Sequence, residues 1–216
     1  MGAEDEKREA ARTGALMVEP GMTVGLGTGS TVAHLLTQLA ARDVRALFVA
    51  TSPRTEHAAR ALGLRVEPFE NLERLDLAID GADQITRDGW LIKGGGGAHT
   101  REKIVAASAD RFVVIADSRK IVEELSPPVP LEVLSFGVAA TLRQLGSTTL
   151  RVAAPSPDGG LIADYWGDVS APEHLCGFLA GVAGVVEHGL FPPSLVDDIL
   201  VGRKNCVEAL TIGENP

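Results

Sequence analysis

Apolar residues in the first part of the chain form short continuous runs that alternate with segments of helical spacing. Val32, Leu35, Leu36 and Leu39 share one face of a predicted helix. The predicted helices cover 4–18, 30–42, 53–62 and 98–109, and the predicted strands cover 22–26, 44–51, 64–69, 75–79, 90–92 and 111–116. Because these strands are continuously apolar and alternate with helices, we predict an α/β fold with a parallel sheet covered on both faces.

The pattern changes at Ser126-Pro-Pro-Val-Pro130, after which the strands are shorter and turn residues are more frequent. The predicted order is strand 131–136, helix 137–145, strands 148–153 and 161–165, helix 172–182 and strand 185–190. This β-α-β-β-α-β order is typical of a small α+β unit. We therefore predict a main α/β domain from residues 1–127 and 194–216, with a further strand at 199–201, and a small α+β domain over 128–193.

Composition narrows the possible classes of protein. Hydrophobic residues make up 45% of the 216 residues, enough for a sizeable core, while a net charge of −9 and 4% aromatic residues argue against a nucleic-acid partner. No apolar run approaches the ~18–20 residues of a membrane span, and the charged start lacks the apolar core of a signal peptide. Cys176 and Cys206 fit no disulfide framework or metal motif and are predicted to be reduced, with a disulfide between them left open. The cytosol is the predicted compartment.

The segment Gly25-Leu-Gly-Thr-Gly-Ser-Thr31 joins the strand 22–26 to the following helix. Glycines allow the backbone to approach a ligand, and the first turn of a helix offers free N–H groups and the positive end of its dipole. The segment therefore predicts a phosphate site. It is not a P-loop, since no lysine follows the last glycine, and Val32 replaces the third glycine of a dinucleotide fingerprint. The alternative interpretation is a tight turn capped by Ser30.

Two carboxylates follow the strand 75–79, in Asp80-Gly-Ala-Asp83. Open parallel sheets bind ligands at the carboxyl ends of their strands. Carboxylates in this position suit contacts with sugar hydroxyls or the transfer of protons. The alternative is a polar turn with a helix N-cap.

Four glycines stand between Lys93 and Glu102, in Lys93-Gly-Gly-Gly-Gly-Ala-His-Thr-Arg-Glu102. Such a run is entropically costly and suggests close approach of the backbone to a ligand. A glutamate base, with a lysine and backbone N–H groups around an oxyanion, is the set that abstracts a proton next to a carbonyl. The alternative is a flexible loop.

Weaker candidates surround these motifs. Lys120, in Ala116-Asp-Ser-Arg-Lys120, follows a strand and could reach a phosphate or sugar oxygen, or it could be a solvated surface lysine. His99 could donate to a phosphate or could be an incidental surface histidine. The remaining histidines show no metal-ligand spacing. Whether Lys7 or Arg8 reaches a phosphate stays open.

Taken in this order, the four motifs resemble type A ribose-5-phosphate isomerase, and the resemblance covers nearly the whole chain, including Gly184-Val-Val-Glu-His-Gly-Leu-Phe191. It implies a Rossmann-like domain with an inserted ferredoxin-like domain and a homodimer or homotetramer, in which the small domain would serve oligomerisation. It also implies interconversion of D-ribose 5-phosphate and D-ribulose 5-phosphate through a cis-enediolate, without a metal or other cofactor. The alternative is a non-enzymatic sugar-phosphate sensor on a related fold.

The resemblance also implies residue roles. Glu102 would be the base, and Lys93, Asp80 and Asp83 would complete the catalytic set. The substrate-binding residues would be Thr28, Gly29, Ser30, Thr31, Asp80, Gly81, Ala82, Asp83, Lys93, Gly94, Gly95, Gly96 and Lys120. Two departures from the family pattern are Gln84, where an acidic residue is common, and Asp164-Tyr-Trp-Gly167, which is expected to affect packing or assembly rather than chemistry.

Overall fold

Helices and strands alternate along most of the chain. The computed structural model describes residues 2–204 and 206–212, except the side chain of Asn71. The helices are α1 (Ala3–Leu16), α2 (Ser30–Arg42), α3 (Pro53–Ala61), α4 (His99–Ala107), α5 (Val138–Leu145) and α6 (Pro172–Gly181). The strands are β1 (Thr23–Leu26), β2 (Leu47–Ala50), β3 (Leu77–Asp80), β4 (Gln84–Ile85), β5 (Leu91–Ile92), β6 (Phe112–Asp117), β7 (Val129–Val133), β8 (Thr148–Leu150), β9 (Leu161–Tyr165), β10 (Val185–His188), β11 (Leu190–Phe191), β12 (Asp198–Gly202) and β13 (Val207–Thr211). Within these ranges, no helix is both long enough and apolar enough to cross a bilayer.

The largest sheet has six strands in the order β13-β12-β6-β3-β1-β2. Its strands are parallel except for β13, which runs antiparallel to β12 at one edge. Along β6, Val113 and Ile115 join a core with α1 and α2, whereas Val114 and Ala116 join a second core with α4. Burial on both faces explains the continuously apolar strands and confirms the predicted α/β class.

A smaller antiparallel sheet, here called the small sheet, has the order β10-β7-β9-β8. Helices α5 and α6 pack on it through residues such as Leu145, Leu175 and Leu179. The elements follow the predicted β-α-β-β-α-β order along the chain. Cys176, on α6, and Cys206 are both free thiols, so no disulfide joins them.

The strand predicted over 185–190 is in fact two strands in two sheets. β10 belongs to the small sheet, whereas β11 pairs with β5 in a three-stranded sheet with β4. Gly189 lies between them: its N–H donates to the Pro130 carbonyl at 2.7 Å, and its own carbonyl accepts from the Lys93 N–H at 2.8 Å. A Cβ at Gly189 would overlap the Lys93 carbonyl oxygen. Gly189 therefore links β7 of the small sheet to the backbone of Lys93 through two hydrogen bonds.

The prediction of a strand over 64–69 is wrong. Val66 forms an isolated bridge with Phe48, and a 3-10 helix follows at Phe69–Asn71. Pro68 has no N–H to donate to a ladder, which ends the pairing there. The sequence patterns also missed β4, which has two residues, and β13, a partly exposed edge strand. The domain boundaries near residues 128 and 193 stay a prediction, although β11 pairs outside the predicted small domain.

Candidate active site

Three of the predicted site segments follow neighbouring strands of the largest sheet, whereas Lys93 follows β5 of the three-stranded sheet. β3 lies between β1 and β6, and all three are parallel, so their carboxyl ends share one edge. The glycine-rich turn follows β1, Asp80 is the last residue of β3, and a short 3-10 helix ending at Lys120 follows β6. The topology therefore brings motifs about 50 to 90 residues apart in the sequence to the same place.

The turn after β1 is shaped by two glycines. Gly29 is the N-cap of α2 with a φ of +147°, and no side chain caps this helix, so the interpretation of Ser30 as a cap is wrong. A Cβ at Gly27 would overlap the Asp80 carboxyl group. Glycine at this position thus allows Asp80 to pack against the turn, where its Oδ1 accepts the Thr28 N–H at 3.1 Å.

The Thr28 side chain is held by a cluster of hydroxyl groups. Its Oγ1 lies 2.9 Å from Thr51 Oγ1, 2.7 Å from Ser52 Oγ and 3.2 Å from Thr55 Oγ1. Thr55 Oγ1 in turn donates to the Gly27 carbonyl at 2.9 Å. The sequence patterns did not predict this cluster. A signal was present, because Thr51 and Ser52 directly follow β2, the strand that neighbours β1.

Lys93, Asp80 and Glu102 form a buried charged cluster. Lys93 Nζ lies 2.8 Å from Asp80 Oδ2 and 3.1 Å from Glu102 Oε2, and it donates to the Gly81 carbonyl at 2.5 Å. The three side chains are at most 4% exposed. Within the described part of the chain, Asp80 Oδ2 and Glu102 Oε2 accept no aligned hydrogen bond. These two buried oxygens are the ones that face the Lys93 ammonium, so its charge holds them in place.

Burial and charge set the protonation of this cluster. The pKa of Glu102 is raised to about 8, chiefly by burial and also by the charge of Asp80, while Lys93 opposes both effects. The pKa of Asp80 is also raised by burial, against the effect of Lys93. Burial lowers the pKa of Lys93, but the two carboxylates outweigh it and the net pKa is raised, so the ammonium stays charged. A glutamate with a pKa near neutrality is well suited to accept and return a proton.

The run of four glycines, here called the glycine loop (Gly94–Gly97), is a hydrogen-bonded turn rather than a free loop. The Gly97 N–H donates to the Gly94 carbonyl at 3.0 Å, and the Gly95 N–H donates to Asp83 Oδ2 at 2.8 Å. Gly94 and Gly97 have φ values of +101° and +73°, which favour glycine. Asp83 is exposed and does not join the buried cluster. Its carboxylate contacts the glycine loop instead, through the Gly95 N–H. No helix begins after Asp80-Gly-Ala-Asp83, so its interpretation as a helix N-cap is wrong.

The remaining candidates have different surroundings. His99 is fully buried behind the glycine loop rather than at the surface, and burial lowers its pKa to about 4. Lys120 is partly exposed, and its amino group pairs with no residue in the described ranges. On α1, Lys7 is buried and pairs with Glu4 at 2.6 Å, whereas Arg8 is exposed and pairs with Asp5 at 2.9 Å.

The first departure from the family pattern lies beside the site. Gln84 exchanges two hydrogen bonds with the Ser126 backbone: its Nε2 donates to the carbonyl and its Oε1 accepts the N–H, both at 2.8 Å. The glutamine thus ties β4 to the segment before β7 and does not contact the charged cluster.

Residues of the small sheet reach the site, which the sequence patterns did not reveal. Arg151 donates to the carbonyls of Gly94 and Gly95 and pairs with Asp164. Asp164 is thus connected to the glycine loop through Arg151. Glu132, on β7, is buried and accepts hydrogen bonds at 2.5 Å from Thr100, on α4, and from Ser156. No local pattern marks these residues, since their partners lie 13 to 57 positions away.

A cleft of about 480 Å³ opens beside the glycine loop. It lies between that loop and the segment 153–157, and Thr28, Arg151 and Ile162 also line it. The exposed residues Gly95 and Gly96 also line it, and a Cβ at Gly96 would lie 3.8 Å from the side chain of Thr28, two positions before α2. A small polar ligand could thus contact the first turn of α2 and the glycine loop together.

Comparisons with known proteins agree with this geometry. The family model described as ribose 5-phosphate isomerase A (phosphoriboisomerase A) matches residues 47–206. A ribose-5-phosphate isomerase A of Methanosarcina acetivorans is 43% identical, over 93% of this chain and 91% of that protein. The ribose 5-phosphate isomerase A structure from Methanocaldococcus jannaschii is 32% identical, covers 96% of this chain and 99% of its own, and has a TM-score of 0.90. A D-ribose-5-phosphate isomerase structure in complex with phospho-erythronic acid is 30% identical, covers 98% and 100% of the two chains, and has a TM-score of 0.92. The chain therefore belongs to the ribose 5-phosphate isomerase A family and is an isomerase.

Proposed function

We propose that this enzyme interconverts D-ribose 5-phosphate and D-ribulose 5-phosphate with Glu102 as the base. The observation that supports this most is the buried Glu102 carboxylate, whose Oε2 lies 3.1 Å from the Lys93 ammonium. A related isomerase binds phospho-erythronic acid, a phosphorylated sugar acid, and a ligand of this class fits a site with a cationic centre and a helix N-terminus.

In the proposed reaction, Glu102 removes the proton from C2 of the open-chain aldose. The C2–H bond breaks, a C1=C2 double bond forms, and the carbonyl electron pair moves to O1, which gives a cis-enediolate. Transfer of the O2 proton to O1, and return of the abstracted proton from Glu102 to C1 as the C2=O bond forms, gives the ketose. Lys93 and N–H groups of the glycine loop stabilise the negative oxygens, and one such donor is typically worth about 3–4 kcal/mol.

The other predicted residues would position the sugar. We assign the phosphate to the first turn of α2, where Gly29, Ser30 and Thr31 offer N–H and hydroxyl donors, with Lys120 from the segment after β6. Asp80 and Asp83, with Gly81 and Ala82 between them, would contact the sugar hydroxyls and assist ring opening. Binding of a non-reacting phosphate holds the reacting carbons near Glu102, and this raises turnover.

The direct test is incubation of the enzyme with ribose 5-phosphate and detection of a ketopentose phosphate. Formation of the ketose, and its reversal from ribulose 5-phosphate, would support the proposal. No product at high enzyme concentration, together with measurable sugar-phosphate binding, would instead support the non-enzymatic sensor. The relatives reported above are named as isomerases and do not favour that alternative.

The activity is expected to fall on the acid side with a midpoint well above the ordinary glutamate value. Burial raises the pKa of Glu102 from 4.5 to about 8, and the base must be unprotonated to act. Below that pKa, kcat/KM should fall about tenfold for each pH unit. Initial rates across the neutral range test this, fitted with the ionisation of the substrate phosphate near pH ~6 included. An acid-side fall in rate with its midpoint near pH 4.5 would show that burial does not raise the pKa of the base.

Chelators are expected to leave turnover unchanged. The resemblance implies a metal-free reaction, and Lys93 places a positive charge where an oxyanion would form. Rates after incubation with EDTA and removal of the chelator should match those of untreated enzyme. Loss of activity that zinc or magnesium restores would contradict this prediction.

The assembly and compartment of the enzyme also stay proposals. We propose a homodimer or homotetramer in which the predicted small domain forms contacts between copies. Phe136, which is 91% exposed, and the exposed Trp166 and Phe178 support this, because large apolar side chains are costly to leave in water. The cytosol remains the predicted compartment.

A further inference from the structure

Arg151 connects the small sheet to the glycine loop. It directly follows β8, and its N–H donates to the Ile162 carbonyl at 2.9 Å. Its Nη1 donates to the carbonyl oxygens of Gly94 at 3.1 Å and Gly95 at 3.0 Å. A single guanidinium nitrogen thus holds two consecutive peptides of the loop.

Asp164 holds the other side of the same guanidinium. Its carboxylate accepts from Arg151 Nε at 2.7 Å and from Nη2 at 2.6 Å, a bidentate pair. The side chains of Arg151 and Asp164 are 21% and 15% exposed. All three guanidinium nitrogens are therefore engaged with the protein, so the group acts as a fixed support rather than as a free cation for substrate.

The two carbonyls determine where the neighbouring N–H groups point. In a planar trans peptide, the C=O and the following N–H point in opposite directions. The carbonyl of Gly94 faces Arg151, and the Gly95 N–H on the far side donates to Asp83. By the same geometry the Gly96 N–H points away from Arg151, and it has no hydrogen-bond partner among the described residues.

A glycine loop needs such a support. Glycine peptides rotate easily because no Cβ restricts φ and ψ. Without the guanidinium, the Gly95–Gly96 peptide could turn its carbonyl towards the site, where a negative substrate oxygen would be repelled. A charged donor to both carbonyls opposes this rotation and polarises the two peptides, which strengthens their N–H groups as donors.

We propose that Arg151, oriented by Asp164, is a positioning residue that directs the Gly96 N–H towards a negatively charged substrate oxygen. This inference rests on the proposed isomerase function, in which the enediolate is that oxygen-bearing species. The small sheet thereby contributes to turnover without contacting the reacting atoms. Arg151 holds the carbonyl groups of the glycine loop, and an N–H group of that loop contacts the substrate.

The test compares Arg151→Met, Arg151→Lys and Asp164→Asn with a matched control, Asp158→Ala. Asp158 forms a similar bidentate pair with Arg101, at 2.8 and 2.7 Å, but it does not contact the glycine loop. Steady-state kcat and KM are measured with ribose 5-phosphate. Hydrogen exchange of the Gly95 and Gly97 amides, whose partners are Asp83 and Gly94, is measured without substrate.

Arg151→Met is expected to lower kcat about 10- to 100-fold, somewhat less than loss of a whole oxyanion donor, with KM within about threefold because the phosphate site is untouched. The kcat values of Arg151→Lys and Asp164→Asn should lie between those of Arg151→Met and the wild type, because each variant keeps some of the hydrogen bonds that hold the glycine loop. Loop amides should exchange about tenfold faster in Arg151→Met. The control should match the wild type in both readouts.

Wild-type kcat and exchange in Arg151→Met would overturn the inference, as would an equal loss of kcat in the Asp158→Ala control. If Arg151→Met does not fold, Arg151→Lys and Asp164→Asn decide the question by the same measurements. Failure of the proposed function would look different, because the wild-type enzyme would itself produce no ketose. The exchange experiment needs no turnover and so tests the role of Arg151 in holding the loop separately.

Discussion

Replacing Glu102 by glutamine is expected to lower kcat by about 10²- to 10⁴-fold. Glutamine has the same shape as glutamate but cannot accept the C2 proton. The side chain is only 4% exposed, so water cannot readily replace it as the base. Substrate binding should stay within about threefold of the wild type, because the proposed phosphate site lies on α2 and does not involve Glu102. Ketose formation gives kcat, and calorimetric titration with a non-reacting sugar-phosphate analogue gives the affinity.

The matched control for this variant is Glu173→Gln. Glu173 lies exposed in the first turn of α6, where the same chemical change should leave turnover unaltered. Circular dichroism of both variants confirms that the fold is kept. Turnover in Glu102→Gln within tenfold of the wild-type value would remove Glu102 from the role of base.

Replacing Lys93 by methionine is the second substitution with a large expected effect. The variant loses the cation nearest to both carboxylates, and kcat should fall by about 10²- to 10³-fold, the usual effect of one oxyanion donor. Lys93 also lowers the pKa of Glu102, so its removal should raise that pKa. The acid limb of the pH–rate profile should therefore move towards higher pH. Steady-state rates measured across the pH range report both effects.

Lys204→Met is the control, because Lys204 is an exposed lysine outside the candidate site. The Lys93 variant leaves two buried carboxyl groups without a counter-charge, which is destabilising unless they bind protons. Its thermal unfolding is therefore measured alongside its rates. A lower kcat with an unmoved acid limb would mean that Lys93 stabilises the reaction without tuning Glu102.

The contacts among Glu102, Lys93 and Asp80 explain why a single proton transfer needs three charged side chains. A glutamate in water has a pKa too low for a strong base, and burial corrects this. Without Lys93, burial and the charge of Asp80 would raise the pKa of Glu102 still higher. Lys93 offsets part of the penalty, and Asp80 keeps the lysine charged through its own contact at 2.8 Å. The three side chains therefore have to be considered together.

Several features of the site could be predicted from the sequence because they depend on local residue order. The helix over 30–42 has the bounds observed for α2, since its apolar face and the preceding glycines are both local signals. The glycine-rich turn, Asp80 and Lys120 each follow an apolar strand of the parallel sheet, whose carboxyl ends share one edge.

Other features were missed because their cause lies far away in the chain. The strand over 185–190 is continuous as a pattern, yet the close approach of Gly189 to the Lys93 carbonyl divides it between two sheets. His99 carries no apolar signal and nevertheless is fully buried behind the glycine loop. Burial of a single polar residue depends on what packs over it, which no local pattern records.

The sequence by itself determined the fold class, the order of the elements and the identity of the charged and glycine-rich segments, because periodicity and turn chemistry act over a few residues. Only the tertiary structure decided that Lys93 lies between Asp80 and Glu102, that Thr28 is held by hydroxyl groups after β2, and that Arg151 supports the glycine loop. These contacts join residues up to 57 positions apart. Their distances and burial set the pKa values on which the proposed chemistry depends, and such quantities arise only when the chain is packed.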